Sequence, residues 1–366
     1  MLLRLLPMAR IALKRLGLVP LIKRWLYPPP GDGAGTPRGL RYRARLLIEQ
    51  ACYASIEQVH DLPPIHGYWA NRHLIPLLQS FGVEGVEHFF VDQVGQALGP
   101  PQDAGQTKIL SLGSGNCDFE VVLAKRLASM GYSQFRIDCM DINPAMLARG
   151  VKAAESAGVG RYVAPLHADF NRWEGNSLGY RVVLANQALH HVVNLEGLFD
   201  AVRRTIGTQG AFVISDMIGR NGHMRWPEAL EIVQRLWAEL PSAYRIDRLK
   251  GAVIKDFENV DYSRGGFEGI RAQDILPLLI ERFGFRLFIP FANVIDVFVD
   301  RVIGPNFNPD REWDRNFIDR VHAVDAEALR CGRIKPTHLM ATMTADRTVA
   351  TRFPQGLSPA ACVRFP

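Results

Sequence analysis

Apolar and polar positions along this chain switch between a two-residue and a near-3.6-residue period, and the switches mark out its elements. Residues 108–112 are a short apolar run ended by a glycine turn, which predicts a buried strand. Val121, Val122, Leu123 and Leu127 follow at near-helical spacing, and residues 135–140 form a second strand closed by Asp141. Asn143 and Pro144 then start a helix, the proline early where a missing N–H is harmless; it runs to about residue 157 and ends at Gly158. Residues 161–167, 180–185 and 211–215 predict three further strands, with a helix over 195–206. Five strands alternating with helices predict an α/β fold, a doubly wound and mostly parallel sheet.

The flanks read differently. Residues 40–98 predict a helical cap, with Trp69, Leu74, Leu77, Leu78 and Phe81 at helical spacing. Beyond the fifth strand, residues 223–240 predict an amphipathic helix through Leu230, Val233, Leu236, Trp237 and Leu240, and residues 241–270 are polar and irregular. A strand is expected over 285–289, a helix over 313–329 with Trp313, Phe317, Val321, Val324 and Ala328 on one face, and a last strand over 337–344. The expected organisation is a basic segment and Pro/Gly linker (1–39), a helical cap (40–100), a core (101–345) with insertions at 217–270 and 292–335, and a tail (346–366).

Composition narrows the class. At 366 residues and 48% hydrophobic, the chain can bury a full core. Its five cysteines are scattered with no C-x-x-C pair, which points to a reducing, cytoplasmic setting and away from a disulfide framework or a zinc site. No apolar run approaches the ~20 residues of a membrane-spanning helix. The net charge of +6 is matched by Arg4, Arg10, Lys14, Arg15, Lys23 and Arg24, with no acid in the same stretch. The remainder is nearly balanced, so no nucleic-acid partner is expected. Residues 1–27 mix these cations with Leu and Ile, which suits peripheral contact with anionic lipid; a partner-docking extension is the competing role.

Strand, glycine turn, helix, strand and acid make half of a nucleotide-binding sheet. The third glycine of a dinucleotide fingerprint is replaced by Asp118, whose carboxylate repels phosphate and tolerates a cationic ligand without one. On residues 107–216 the sequence resembles the class I S-adenosylmethionine-dependent methyltransferases. The resemblance implies that cofactor, with Gly113, Ser114 and Gly115 shaping the loop under its amino acid end. Asp141 with Ile142 is placed at the ribose, Asp169 with Phe170 at the adenine, and Asn186 and Gln187 on the sulfonium side. Two positions depart from the family's pattern: Ser111 stands where an acid is usual, and Cys117 where a third glycine is. Asp118 or Glu120 is expected to replace the missing charge near the cofactor's ammonium.

On the acceptor side, His190 and His191 follow the fourth strand and are candidate general bases; a packed ring beside a capping ring is the bland alternative. Metal binding by the pair is disfavoured, because adjacent side chains diverge and no third ligand lies at a suitable spacing, so no metal is expected. Trp69, Arg225, Trp226, Tyr262 and Arg264 are candidate substrate contacts, each with a structural role as its alternative. The reading is methylation of a small or medium metabolite at oxygen, nitrogen or carbon. A nucleotide-dependent oxidoreductase, or a non-catalytic scaffold of the same fold docking on a membrane or partner, are the alternatives.

Overall fold

The computed structural model describes residues 39–53, 62–101, 106–175, 179–264 and 266–365. The basic segment over 1–27, and with it the expected lipid contact, lies outside them.

The core is one seven-stranded sheet: β1 (Thr107–Leu112), β2 (Phe135–Asp141), β3 (Val163–His167), β4 (Tyr180–Asn186), β5 (Ala211–Met217), β6 (Gly284–Phe291) and β7 (His338–Thr344). Their spatial order is β3-β2-β1-β4-β5-β7-β6, and only β7 runs antiparallel to its neighbours. Strands β1, β4 and β5 are near-continuous apolar runs because helices cover both faces. One core lies under each face: Ile109, Leu123, Ile137 and Val182 belong to the first, Leu110, Val183, Phe199 and Phe212 to the second. Alternate residues of one strand thus serve opposite cores, as the pleat requires.

The helices that matter for the cleft are α1 (Leu40–Tyr53), α2 (Val86–Leu98), α3 (Asp118–Ser129), α4 (Pro144–Ser156), α5 (Leu195–Ile206), α6 (Pro227–Glu239), α7 (Ala272–Arg282) and α8 (Glu312–Arg330). Helix α4 starts where the sequence indicates: the Asn143 side chain accepts from the Ala145 and Met146 N–H groups at 3.1 and 3.4 Å, with Pro144 in the first turn. Helix α6 begins at Pro227 rather than at residue 223, because Trp226 is extended and proline can only open the first turn. Arg161 and Tyr162, expected as the start of β3, lie instead in a 3-10 turn over Gly160–Tyr162. The described residues of 241–270 hold only a two-residue ribbon and short turns, in keeping with their polar pattern. Helix α8 buries Phe317, Val321 and Ala328, whereas Trp313, expected on that face, is 45% exposed and stacks on Phe317 from outside.

Strand order reverses at β1, with β2 on one side and β4 on the other. A crevice at the carboxyl ends of the strands is the consequence, since the chain leaves β1 and β4 toward opposite sides.

Candidate active site

A cleft occupies that crevice. Its floor is the turn after β1, Gly113, Ser114, Gly115 and Asn116, together with Asp141 and Ile142 after β2, Asp169 and Phe170 after β3, and Asn186 and Gln187 after β4. Gly113 has φ +67°, and a Cβ on it would stand 2.7 Å from the Ala188 Cβ, so this turn is open only to glycine. The Gly113 and Ser114 N–H groups donate to the Met140 carbonyl at 2.8 and 3.1 Å, fixing the turn against β2. Cys117, which stands where the family's pattern has a third glycine, takes the left-handed conformation itself at φ 58°. Room for its thiol comes from α4: a Cβ on Gly150 would meet the Cys117 sulfur at 2.5 Å.

Asp141 is the strut of the floor. Its Oδ2 accepts from the Gly115 N–H at 2.9 Å and its Oδ1 from the Asn143 N–H at 2.8 Å, joining the glycine turn to the start of α4. Burial pushes its carboxyl up, and these backbone donors oppose the shift.

Beneath the turn, the Ser111 hydroxyl donates to Glu120 Oε1 at 2.5 Å. Glu120 is buried and lines the cleft, and its Oε2 has no partner among the described residues. Burial raises its carboxyl to about 7, the Ser111 bond opposing. Asp118 does not line the cleft: it is exposed on the first turn of α3, so of the two acids Glu120 faces the cleft. Helical geometry separates them, since residues two apart on a helix point to different sides.

Helix α1 closes the cleft from above. Tyr42, Leu46, Glu49 and Gln50 line it from one helix face. The Tyr42 hydroxyl donates to the Asp169 carboxylate, 2.8 Å from either oxygen, and accepts from Asn171 Nδ2 at 2.9 Å; Gln50 Nε2 donates to the Ile142 carbonyl at 2.6 Å. Asp169 also accepts from the Asn171 N–H at 2.9 Å. None of these four was a candidate on sequence grounds. A signal is present, as the spacing 42, 46, 49, 50 is one helical stripe, but two of its four members are polar or charged and so it does not read as a buried face.

The histidine pair divides. His191 lines the cleft, while His190 is buried behind it and does not. His190 Nδ1 lies 2.7 Å from Asp216 Oδ1, at the end of β5. Asp216 also accepts from the N–H groups of Ala188, Leu189 and Met217 at 2.7–2.8 Å. Burial works against a charge on His190, yet Asp216 and Glu268 raise it to about 10. Burial and the neighbouring His190 push His191 down to about 3, so it is neutral. Glu49 Oε1 stands 3.6 Å from His191 Nδ1; burial and the Glu268 charge raise Glu49 to about 7. Glu268, from the segment between β5 and α7, accepts from His223 Nε2 at 2.7 Å and is held below the usual carboxylate range by His190 and His223 against its burial.

The five expected substrate contacts are not among the residues lining the cleft. Trp69 is buried, its indole N–H donating to His322 Nδ1 at 3.2 Å. Arg225 is buried against Asp296 at 2.6 Å. Trp226 lies between the guanidinium groups of Arg220 and Arg364. Arg264 pairs with Asp261 at 3.1 Å, and Tyr262 is 48% exposed. His322, Asp296 and Arg364, partners of Trp69, Arg225 and Trp226, come from segments that the linear sequence does not bring near.

Residues 109–210 match the family model of a methyltransferase domain. Among curated proteins, none matches the sequence. Solved structures with a similar fold include geranyl diphosphate C-methyltransferase from Streptomyces coelicolor A3(2) in complex with Mg2+, geranyl diphosphate and S-adenosyl-L-homocysteine, at 11% identity and TM-score 0.46 over 82% of this chain and 98% of that one. A putative sarcosine dimethylglycine methyltransferase from Galdieria sulphuraria is 16% identical, TM-score 0.40, over 72% and 86% of the two chains. The O-methyltransferase of a trans-AT polyketide multienzyme from Brevibacillus brevis, bound to S-adenosyl-L-homocysteine, is 13% identical, TM-score 0.38, over 67% and 68%.

Residues 109–210 thus carry a match to a methyltransferase domain, and they lie on a Rossmann-like sheet. The cofactor that such a domain implies is S-adenosylmethionine. The residues present fit that group: the orphaned Glu120 Oε2 offers an anion to an ammonium, and the glycine turn leaves backbone surface that a side chain would fill.

Proposed function

We propose that the protein methylates a protic centre, foremost a hydroxyl, of a small or medium metabolite, and that Glu49 takes the acceptor's proton. S-adenosylmethionine, when bound, supplies a methyl group already activated by a sulfonium. The chain has then to hold the acceptor in line, exclude water and receive a proton. In this reading Gly113, Ser114, Gly115 and Glu120 hold the amino acid end, Asp141 and Ile142 the ribose, and Asp169 with Phe170 the adenine. Asn186 and Gln187 form the floor beside the reacting centre.

The observation that carries the proton step is the Glu49–His191 pair on the cleft wall. A carboxyl near 7 matches the pH at which a general base works best, whereas an imidazole near 3 is a weak base. The Phe267 backbone bonds the Glu49 carboxylate, and His191 stands beside it with the His190 ring packed against it. Acceptor size is argued from the cover: α1 and Phe267 overhang the cleft, which leaves room for a metabolite and little for a folded polymer.

The pH profile tests this. Glu49 is deprotonated above about 7, so kcat/KM in the wild type should rise through that pH to a plateau. Glu49→Gln should remove the inflection and lower kcat by about 10²-fold or more, with S-adenosyl-L-homocysteine affinity nearly intact. An unchanged profile in that variant would reject Glu49 as the base.

A further inference from the structure

We propose that His190, His191 and Glu268 form a binding site for a divalent transition metal at the edge of the cofactor cleft. One nitrogen from each ring and one carboxylate oxygen lie within 4.8 Å of one another. His190 Nε2 is 3.5 Å from Glu268 Oε1, and His191 Nε2 is 3.7 Å from Glu268 Oε2. These separations are at or beyond the limit of a hydrogen bond. The two run to different oxygens of Glu268, and each is close to the edge, about 3.4 Å, of a tetrahedron with metal–ligand bonds of about 2.1 Å.

The outer groups fit the same arrangement. A ligating histidine ordinarily holds a carboxylate or carbonyl on its other nitrogen, and a ligating carboxylate is itself hydrogen-bonded. His190 has Asp216 on Nδ1 at 2.7 Å, and His191 has Glu49 beside Nδ1 at 3.6 Å. Glu268 has His223 at 2.7 Å. His190 and Glu268 are thus each oriented by a separate residue, and both imidazoles turn Nε2 toward one carboxylate. Two histidines and one carboxylate suit zinc, cobalt or iron(II), which leave a further position open for an exogenous oxygen.

The open side faces accessible space, since the Glu268 side chain is 37% exposed and His191 22%. His191 also lines the cofactor cleft. If the proposed function holds, an ion here would bind the acceptor's hydroxyl oxygen and lower its pKa, its proton passing to Glu49. The expectation drawn from the sequence, that adjacent histidines diverge and lack a third ligand, gives way for a tertiary reason. The rings lie 4.2 Å apart at 40°, and Glu268 arrives from the segment between β5 and α7.

The test uses the full chain stripped with chelator, titrated with zinc by calorimetry and with cobalt by visible absorption. One ion per chain is expected, with cobalt bands of four- or five-coordinate geometry. Glu268→Gln and His191→Ala should each weaken binding at least tenfold, while His88→Ala, an exposed histidine elsewhere, should not. Thermal melts of each variant confirm folding. No uptake by the wild type, or equal uptake by a folded Glu268→Gln, overturns the site. A cobalt–thiolate charge-transfer band does so too, by placing the ion at Cys117, Glu120 and Cys139, whose ligand atoms also cluster. S-adenosyl-L-homocysteine is titrated separately into the stripped protein: binding there without metal uptake rejects the metal site alone, and loss of that binding rejects the cofactor reading.

Discussion

Asp141 has a backbone N–H on each carboxylate oxygen and lines the cleft. Replacing it with alanine should weaken S-adenosyl-L-homocysteine binding at least tenfold, about 1.4 kcal/mol, measured by calorimetry. Unchanged affinity would remove Asp141 from the ribose site. Glu120 makes a different prediction. Its carboxyl sits near 7 because it is buried without a cation, and an ammonium placed beside Oε2 lowers it. Below that pH the free protein carries the proton and the complex does not, so binding should release it and affinity should rise with pH up to about 7. Calorimetry near pH 6 in buffers of differing ionisation enthalpy measures the release. Glu120→Gln should abolish it and bind more weakly; release that persists in the variant would show another source.

At the level of elements, α1 is a strap tied at two points, Tyr42 to Asp169 and Gln50 to the Ile142 carbonyl. Both anchors are cleft residues, so the strap and the ligand share their supports. Tyr42→Phe removes one tie and leaves Asp169 short of a donor. It should lower cofactor affinity several-fold and speed amide exchange over residues 40–53, and ligand should slow that exchange in the wild type. Equal exchange with and without ligand would separate α1 from the cofactor. The end of β5 plays a comparable part beneath. Asp216 accepts from the Ala188, Leu189 and His190 N–H groups of the turn after β4 and pairs with the His190 ring. That turn carries His191 into the cleft, which is why a buried charge pair remote from the ligand matters to the site.

For the whole molecule, the sheet order fixes where ligands bind, because the reversal at β1 opens a crevice that the strand ends of β1, β2 and β4 share. A ligand seated there contacts segments far apart in the chain and favours the folded state alone. S-adenosyl-L-homocysteine at 100 times its Kd should stabilise the protein by about 2.7 kcal/mol, read as a rise of several degrees in Tm. A melt unmoved at that excess would mean that the cleft does not hold the cofactor. No helix among the described residues is long and apolar enough to cross a membrane.

The strands, the glycine turn and the acids at the strand ends were legible in the sequence, and for one reason: each is a local pattern. β1 with Gly113 and Gly115, β2 with Asp141, and Asn143 before Pro144 announce themselves within a few residues of one another, since strand burial, turn geometry and helix capping act over that range. What the tertiary structure decided is which polar side chains meet. Glu49 lies on a helix more than a hundred residues before His191, and Glu268 in an irregular segment well beyond it; neither has a local signature. His190 and His191 are equivalent in the sequence and opposite in the fold, one locked to Asp216 and the other facing the cleft. Trp69, Arg225 and Trp226 carry ligand-binding chemistry in the sequence, and in the fold His322, Asp296 and Arg364 take it up. Backbone pattern follows from short-range sterics and hydrogen bonding, whereas the pairing of buried charges depends on chain segments brought together only when the sheet closes.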